Sequence, residues 1–233
     1  MAVRAALDAA TRAAGRDPAA VTLVAVAKTF PPDAVRAAHA AGQRHFGENY
    51  VQEGCAKIDA LGDLEEVVWH FIGPLQSNKS RMVAERFDWV HSIDRESIAR
   101  RLSEQRPVGR APLRVCLQVN VSGEESKSGI EPGDVRPLAR AVAAMPHLEL
   151  RGLMAIPAPS DDPAKQREPF AALRLLRDEL ARDGIDLPDL SIGMSADYPA
   201  AVQEGATLVR IGSAIFGARQ PRPAAPGSDE AAA

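Results

Sequence analysis

The sequence predicts an α/β protein built as one TIM-type (β/α)8 barrel with an extra helix at its N-terminus. Three observations lead there. Short β-branched runs recur eight times along the chain, and each is followed by a stretch with helical patterning. The runs are apolar at nearly every position rather than at alternate ones, as in a parallel sheet whose outer face is covered by crossover helices. The 233 residues also match the about 200 to 250 that a single barrel of this kind occupies. An open, doubly wound sheet is the alternative with the same alternation.

Alanines interleaved with Arg and Asp at the start (MAVRAALDAATRAAGRDP) give an amphipathic opening helix and lack the continuous apolar centre of a secretory signal. The predicted strands are residues 21–27 (VTLVAVA), 44–47, 67–73 (VVWHFIG), 89–93 (WVHSI), 113–120 (LRVCLQVN), 148–156 (LELRGLMAI), 190–193 and 207–212 (TLVRIG). Between them, stretches rich in Ala, Leu and Arg predict helices, among them residues 33–41, 96–104, 135–144 and 168–182. Residues 155–166 (AIPAPSDDPAKQ) carry three prolines and read as a long loop after the sixth strand. The barrel is expected over residues 1–217. Residues 218–233, low in complexity from Pro221 onward, are expected to form a disordered tail.

With 45% hydrophobic and 25% charged residues, the chain can fill a core of this size. Its formal net charge of −3 offers no field that would draw it to nucleic acid or to an anionic membrane, so a small molecule is the expected partner. No apolar run approaches the roughly 20 residues of a membrane span. Cys55 and Cys116 have no metal-ligand spacing and suggest neither a disulfide framework nor a metal site. A reducing, cytoplasmic location is the expectation. No nucleophile elbow, P-loop or dinucleotide fingerprint occurs.

In a parallel barrel, chemistry gathers where strands end and loops begin. Those ends here carry Lys28, then Glu48 and Asn49, Ile72 and Gly73, His91 and Ser92, Asn120, Met154, Met194 and Ser195, and last Arg210, Gly212 and Ser213. A lysine at a strand end usually holds its ammonium in solvent. Inside an apolar barrel mouth it loses hydration and becomes able to condense with an aldehyde. Ser195 and the Gly212-Ser213 turn can surround a phosphate with backbone N–H groups, although a glycine after a strand more often only makes a turn. Arg210 alternates with apolar neighbours and points into the barrel, either to a buried ion pair with Asp197 or Glu204 or to a pyridine nitrogen that it keeps unprotonated. His70, between aromatic residues, reads as a hydrogen-bonded structural group.

Seven ordered segments carry a resemblance: LVAVAKT (23–29), FGENYVQE (46–53), WHFIGPLQSNK (69–79), VNVSGEESKSG (119–129), GLMAIP (152–157), GMSADY (193–198) and VRIGSAIFG (209–217). With these, the chain resembles the pyridoxal phosphate homeostasis protein family, whose barrel is related to the N-terminal domain of alanine racemase. The resemblance implies pyridoxal 5'-phosphate (PLP) held as a Schiff base on Lys28. It further implies that Asn49 and Ile72 flank the ring, that Arg210 approaches its nitrogen, and that Ser195, Gly212 and Ser213, with Met194 beside them, hold the phosphate. Departures are Ala27 where serine is common, Phe30 where a polar residue is frequent, and Ile192 for a usual methionine; Ala27 is expected to alter polarity beside the lysine.

The resemblance implies a carrier or regulator of PLP and amino-acid pools with no established reaction, handing PLP to apo forms of PLP-dependent enzymes. The loop 121–130 is a candidate gate, and Lys127 on it a candidate transient acceptor of PLP, against the plainer reading of a solvated loop lysine. A small amino-acid racemase is the alternative function, and it needs an acid or base on each face of the substrate carbon. A barrel for another phosphorylated ligand is a third reading. A monomer is expected.

Overall fold

The computed structural model describes residues 2–122 and 128–217. The expectations for Lys127 and for the tail 218–233 lie outside the described residues. The strands β1 (Thr22–Val26), β2 (His45–Glu48), β3 (Val68–Phe71), β4 (Trp89–Ile93), β5 (Leu113–Gln118), β6 (Leu148–Met154), β7 (Asp189–Ser191) and β8 (Leu208–Ile211) follow one another around a closed barrel. All neighbours pair in parallel, and β1 closes on β8 with Thr22 opposite Leu208 and Val24 opposite Arg210. The open-sheet alternative is therefore excluded.

The helices are α1 (Ala2–Ala13), α2 (Pro32–Ala40), α3 (Val51–Ala60), α4 (Ser80–Arg86), α5 (Glu96–Gln105), α6 (Val135–Ala143), α7 (Pro163–Arg182), α8 (Tyr198–Gln203) and α9 (Ser213–Phe216). The opening helix α1 buries Leu7 and Thr11 and packs against α8.

One expectation needs correction. The proline-rich segment after β6 is shorter than residues 155–166, because α7 already begins at Pro163. The Asp162 side chain caps it by accepting from the Ala164 N–H at 2.9 Å, and Pro163 sits in the first turn, where a missing N–H costs nothing. Pro169 lies inside the same helix, so proline content misled.

Side chains alternate between two apolar regions. The outer one, between strands and helices, contains Leu23, Ala25, Ala27, Phe46, Phe71, Val90, Leu117, Leu153 and Val209 together with Phe87, just past α4, and helix residues such as Leu102 and Phe170. The inner one, inside the barrel, is small: Val24, Trp89, Cys116, Met154 and Leu208. Strand parity then places His70, His91, Ser191 and Arg210 on the inner side, since His70 pairs with Trp89, Ser191 pairs with Met154, and Arg210 follows Leu208 by two. Both cysteines are unpaired and buried. Among the described residues, no helix is long and apolar enough to cross a membrane.

Candidate functional site

A cavity of about 320 Å³ opens at the carboxyl ends of the strands, and all eight residues singled out for cofactor contact line it: Lys28, Asn49, Ile72, Met194, Ser195, Arg210, Gly212 and Ser213. Val26, Phe30, Ile156, Ala196 and Gly217 complete the wall.

Lys28 reaches this cavity by parity. Val26 faces inward, Ala27 outward into the strand–helix core, and Lys28 inward again, partly buried. Ala27 therefore does not line the cavity; its side chain is buried in the outer region. Thr29, the next residue, has φ of 68°, a left-handed conformation that is costly for a β-branched residue. Its N–H donates to Glu53 Oε1 at 2.5 Å. On the other side of Lys28, the Ala27 carbonyl accepts from Lys57 Nζ at 2.6 Å. Lys57 also pairs with Glu48 at 2.7 Å and with Glu53 at 2.8 Å. The peptides flanking Lys28 are thus both tied to one charged cluster on β2 and α3. Burial pushes the Glu48 carboxyl up to about 7, against the opposing pull of Lys57.

The wall formed by Asn49 and Ile72 rests on a close backbone approach. A Cβ at Gly73 would lie 2.2 Å from the Asn49 carbonyl oxygen, so only glycine lets the ends of β2 and β3 meet and set Asn49 beside Ile72. Asn49 Oδ1 is buried with no hydrogen-bond partner among the described residues, an acceptor awaiting a donor.

Opposite, Gly193 has φ of +91°, and a Cβ there would lie 2.7 Å from that of Ala201. The turn that follows is fixed by Asp197, whose carboxylate accepts from the Met194 N–H at 2.6 Å, and by the Tyr198 N–H donating to the Met194 carbonyl. Ser195 is left exposed, with its hydroxyl 3.4 Å from that of Ser213. Ser213 starts α9, and the first N–H groups of any helix lack partners within it. Two hydroxyls and these N–H groups make a cup suited to an anion.

Arg210 is 4% exposed. The expected ion pair with Asp197 or Glu204 is not what holds it: Glu204 is engaged by Arg167 and Arg174. Arg210 instead donates to the Ser191 carbonyl and hydroxyl, each at 2.5 Å, and to the Ala155 carbonyl at 3.0 Å. Burial lowers its pKa to about 10, with Asp197 opposing, so it remains a cation near neutrality. His70 and His91 do not line the cavity. They are fully buried below it, with His70 stacked on Trp89 at 5.5 Å and bonded to two other histidines, as its structural reading required.

Sequence reasoning missed Glu53, Lys57 and Ser191. The four-residue spacing of Glu53 and Lys57 was the available signal for the first two; Ser191, an ordinary strand serine, gave none. Phe30, noted only as a departure, forms part of the wall and packs on Phe216 at 5.2 Å.

A closed barrel with a lysine, a buried arginine and a hydroxyl-lined cup around one mouth defines a class of protein made to hold an anionic, amine-reactive small molecule. The sequence pattern of the family described as "Alanine racemase, N-terminal domain" matches residues 2–220. The pyridoxal phosphate homeostasis protein of Pseudomonas aeruginosa is 61% identical over 210 residues, 90% of each chain. That of Escherichia coli K12 is 52% identical over 219 residues, 93% of this chain and 94% of its own. PipY of Synechococcus elongatus, solved with PLP bound, superposes with a TM-score of 0.79 at 43% identity, covering 85% of this chain and 93% of that one. The chain belongs to the alanine racemase N-terminal domain family, among the pyridoxal phosphate homeostasis proteins.

Proposed function

We propose that this chain binds PLP covalently through Lys28 and serves PLP homeostasis by storing the cofactor and releasing it to apo forms of PLP-dependent enzymes. The observation that carries the reading is the gathering of all eight predicted residues around one cavity. The residues fit the group. The Nζ lone pair of Lys28 adds to the aldehyde carbon and water leaves, so the carbonyl oxygen is exchanged for nitrogen. Ser195, Ser213 and the N–H groups after Gly212 receive the phosphate, while Ile72 and Asn49 bound the ring. Arg210, permanently charged, keeps the ring nitrogen unprotonated. When bound, PLP supplies an electron sink, and this arginine weakens it.

Racemisation requires a second titratable group across the substrate carbon. The basic groups of the described wall are Lys28 and Arg210, and a guanidinium keeps its proton near neutrality, so the site favours holding over turnover. A monomer is part of the same proposal.

Borohydride reduction followed by peptide mass mapping is the direct test. It should fix one PLP on Lys28, and Lys28→Ala should fix none there while keeping the far-ultraviolet circular dichroism of the parent. PLP fixed elsewhere with Lys28 intact overturns the site. For the carrier role, holoprotein should reactivate an apo PLP enzyme faster than free PLP is released from it; equal rates overturn that role.

A further inference from the structure

Below the mouth, a continuous line of hydrogen bonds runs through the barrel. Arg210 donates to the Ser191 hydroxyl at 2.5 Å, the hydroxyl lies 2.7 Å from His91 Nδ1, His91 Nε2 lies 2.9 Å from His70 Nδ1, and His70 Nε2 lies 2.9 Å from His45 Nδ1. Ser191, His91 and His70 are fully buried. His45 is partly exposed and lines a second cavity, at the amino ends of the strands, with Arg4, Gln43 and Arg44.

We infer that Ser191, His91, His70 and His45 form a column with a single hydrogen-bond direction, and that they act as positioning residues holding the Arg210 guanidinium at the cofactor mouth. This rests on the PLP reading above, in which Arg210 meets the ring nitrogen.

The direction follows from what each group can donate. A guanidinium is donor-only, so the Ser191 oxygen accepts from Arg210 and its own hydrogen must go elsewhere. Among the described residues, the other partner of that hydroxyl is His91 Nδ1. His91 therefore accepts at Nδ1 and carries its proton on Nε2, which donates to His70 Nδ1. By the same step His70 carries Nε2–H and donates to His45 Nδ1, and His45 carries Nε2–H toward the second cavity. A doubly protonated His70 would set its Nδ1–H against the Nε2–H of His91, and a doubly protonated His91 would leave the Ser191 hydrogen without its acceptor, so the column requires both rings to be neutral. Burial acts in the same sense on both, lowering their pKa values well below the usual histidine range.

Every member thus presents its acceptor toward Arg210 and its donor away from it. Aligned dipoles of this kind stabilise a buried cation as a helix C-terminus does, and hydrogen bonds in a chain polarise one another. Two donors of Arg210 face Ser191 and one faces Ala155, so the plane of the guanidinium is fixed. The N–H groups left over serve the cavity that Arg210 lines.

The test reads the protons directly. Protein labelled with 15N-histidine and stripped of cofactor should show, in long-range 1H–15N spectra at pH 7, the neutral Nε2–H tautomer at His91, His70 and His45. Ser191→Ala removes the link to Arg210; it should change the His91 ring signals and speed PLP release about ten-fold or more, the loss expected of a hydrogen bond to a charged group, with PLP still fixed on Lys28. An Nδ1–H tautomer or an imidazolium at His91 or His70 in the parent protein would overturn the column. So would Ser191→Ala releasing PLP at the parental rate. Ordered tautomers with no PLP fixed on Lys28 would instead overturn the cofactor reading and leave the column standing, so the two failures are distinguishable.

Discussion

The same strands face two interiors of opposite character. Toward the helices they present a large apolar surface in which Phe46, Phe71, Phe87 and Phe170 are fully buried. Toward the barrel axis they present a small apolar set around Val24, Trp89, Cys116, Met154 and Leu208 and a polar set that includes His70, His91, Ser191 and Arg210. Burying polar groups costs free energy unless each is paired, and here the pairing is nearly complete. The difference teaches a division of labour: the outer interior holds the molecule together, and the inner one spends its space on directing a cation at the mouth. The strand–helix crossovers make this possible, because they give every strand an apolar outer face that does not depend on what lies inside.

The sharpest way to break that division is to cut into the outer interior far from the mouth. Phe170 lies on α7 with no exposed surface. Phe170→Ala should destabilise the protein by about 3–5 kcal/mol, the usual cost of emptying a buried phenylalanine site, as read from urea unfolding. The folded fraction should still fix one PLP per chain on Lys28. Loss of PLP fixation from fully folded Phe170→Ala protein would show that the two interiors are not independent.

A second prediction concerns the charged cluster of Glu48, Glu53 and Lys57 behind Lys28. Glu48 ends β2 and pairs with Lys57 on α3, and burial raises its pKa from 4.5 to about 7. Between those values the folded state holds a proton that the unfolded chain has released. Stability from this group is therefore present below pH 4.5 and declines as pH rises toward 7, by about 3 kcal/mol in all. Glu48→Gln should remove the decline, because Lys57 retains Glu53 as its partner. Urea midpoints at pH 5 and pH 7.5 should move in favour of the variant as pH rises; parallel movement of both proteins would refute the buried, protonatable carboxyl.

How much of this was legible follows the same boundary. Short runs between polar residues, β-branched in seven cases and not in β2, disclosed all eight strands, and β4, flanked by Asp88 and Asp94, was located to the residue. The site was legible because strand-end position fixes which residues meet, so Lys28 and Ser213 could be placed in one cavity though almost the whole chain separates them. What was not legible depended on three-dimensional partners. Nothing local marks Lys57 as buried, since on α3 it looks like a surface lysine until Glu48 arrives from β2. Ser191 gains its role only when β4 brings His91 across the barrel and β8 brings Arg210. The start of α7 was obscured because Pro163 and Pro169 resemble loop composition, and only the Asp162 cap shows that the first of them opens a helix.

The smallest predicted effect falls where the two interiors are one residue apart. Ala27 precedes Lys28 yet belongs to the outer region, while its carbonyl is held by Lys57. Ala27→Ser places a hydroxyl in that region, not in the cavity, so it should cost about 1 kcal/mol or less if the hydroxyl bonds to nearby backbone. The absorbance of bound PLP and its pH dependence should match the parent. If that spectrum shifts, the side chain at 27 does sense the cofactor, and strand parity, which separates the two interiors everywhere else, fails at the position next to the reactive lysine.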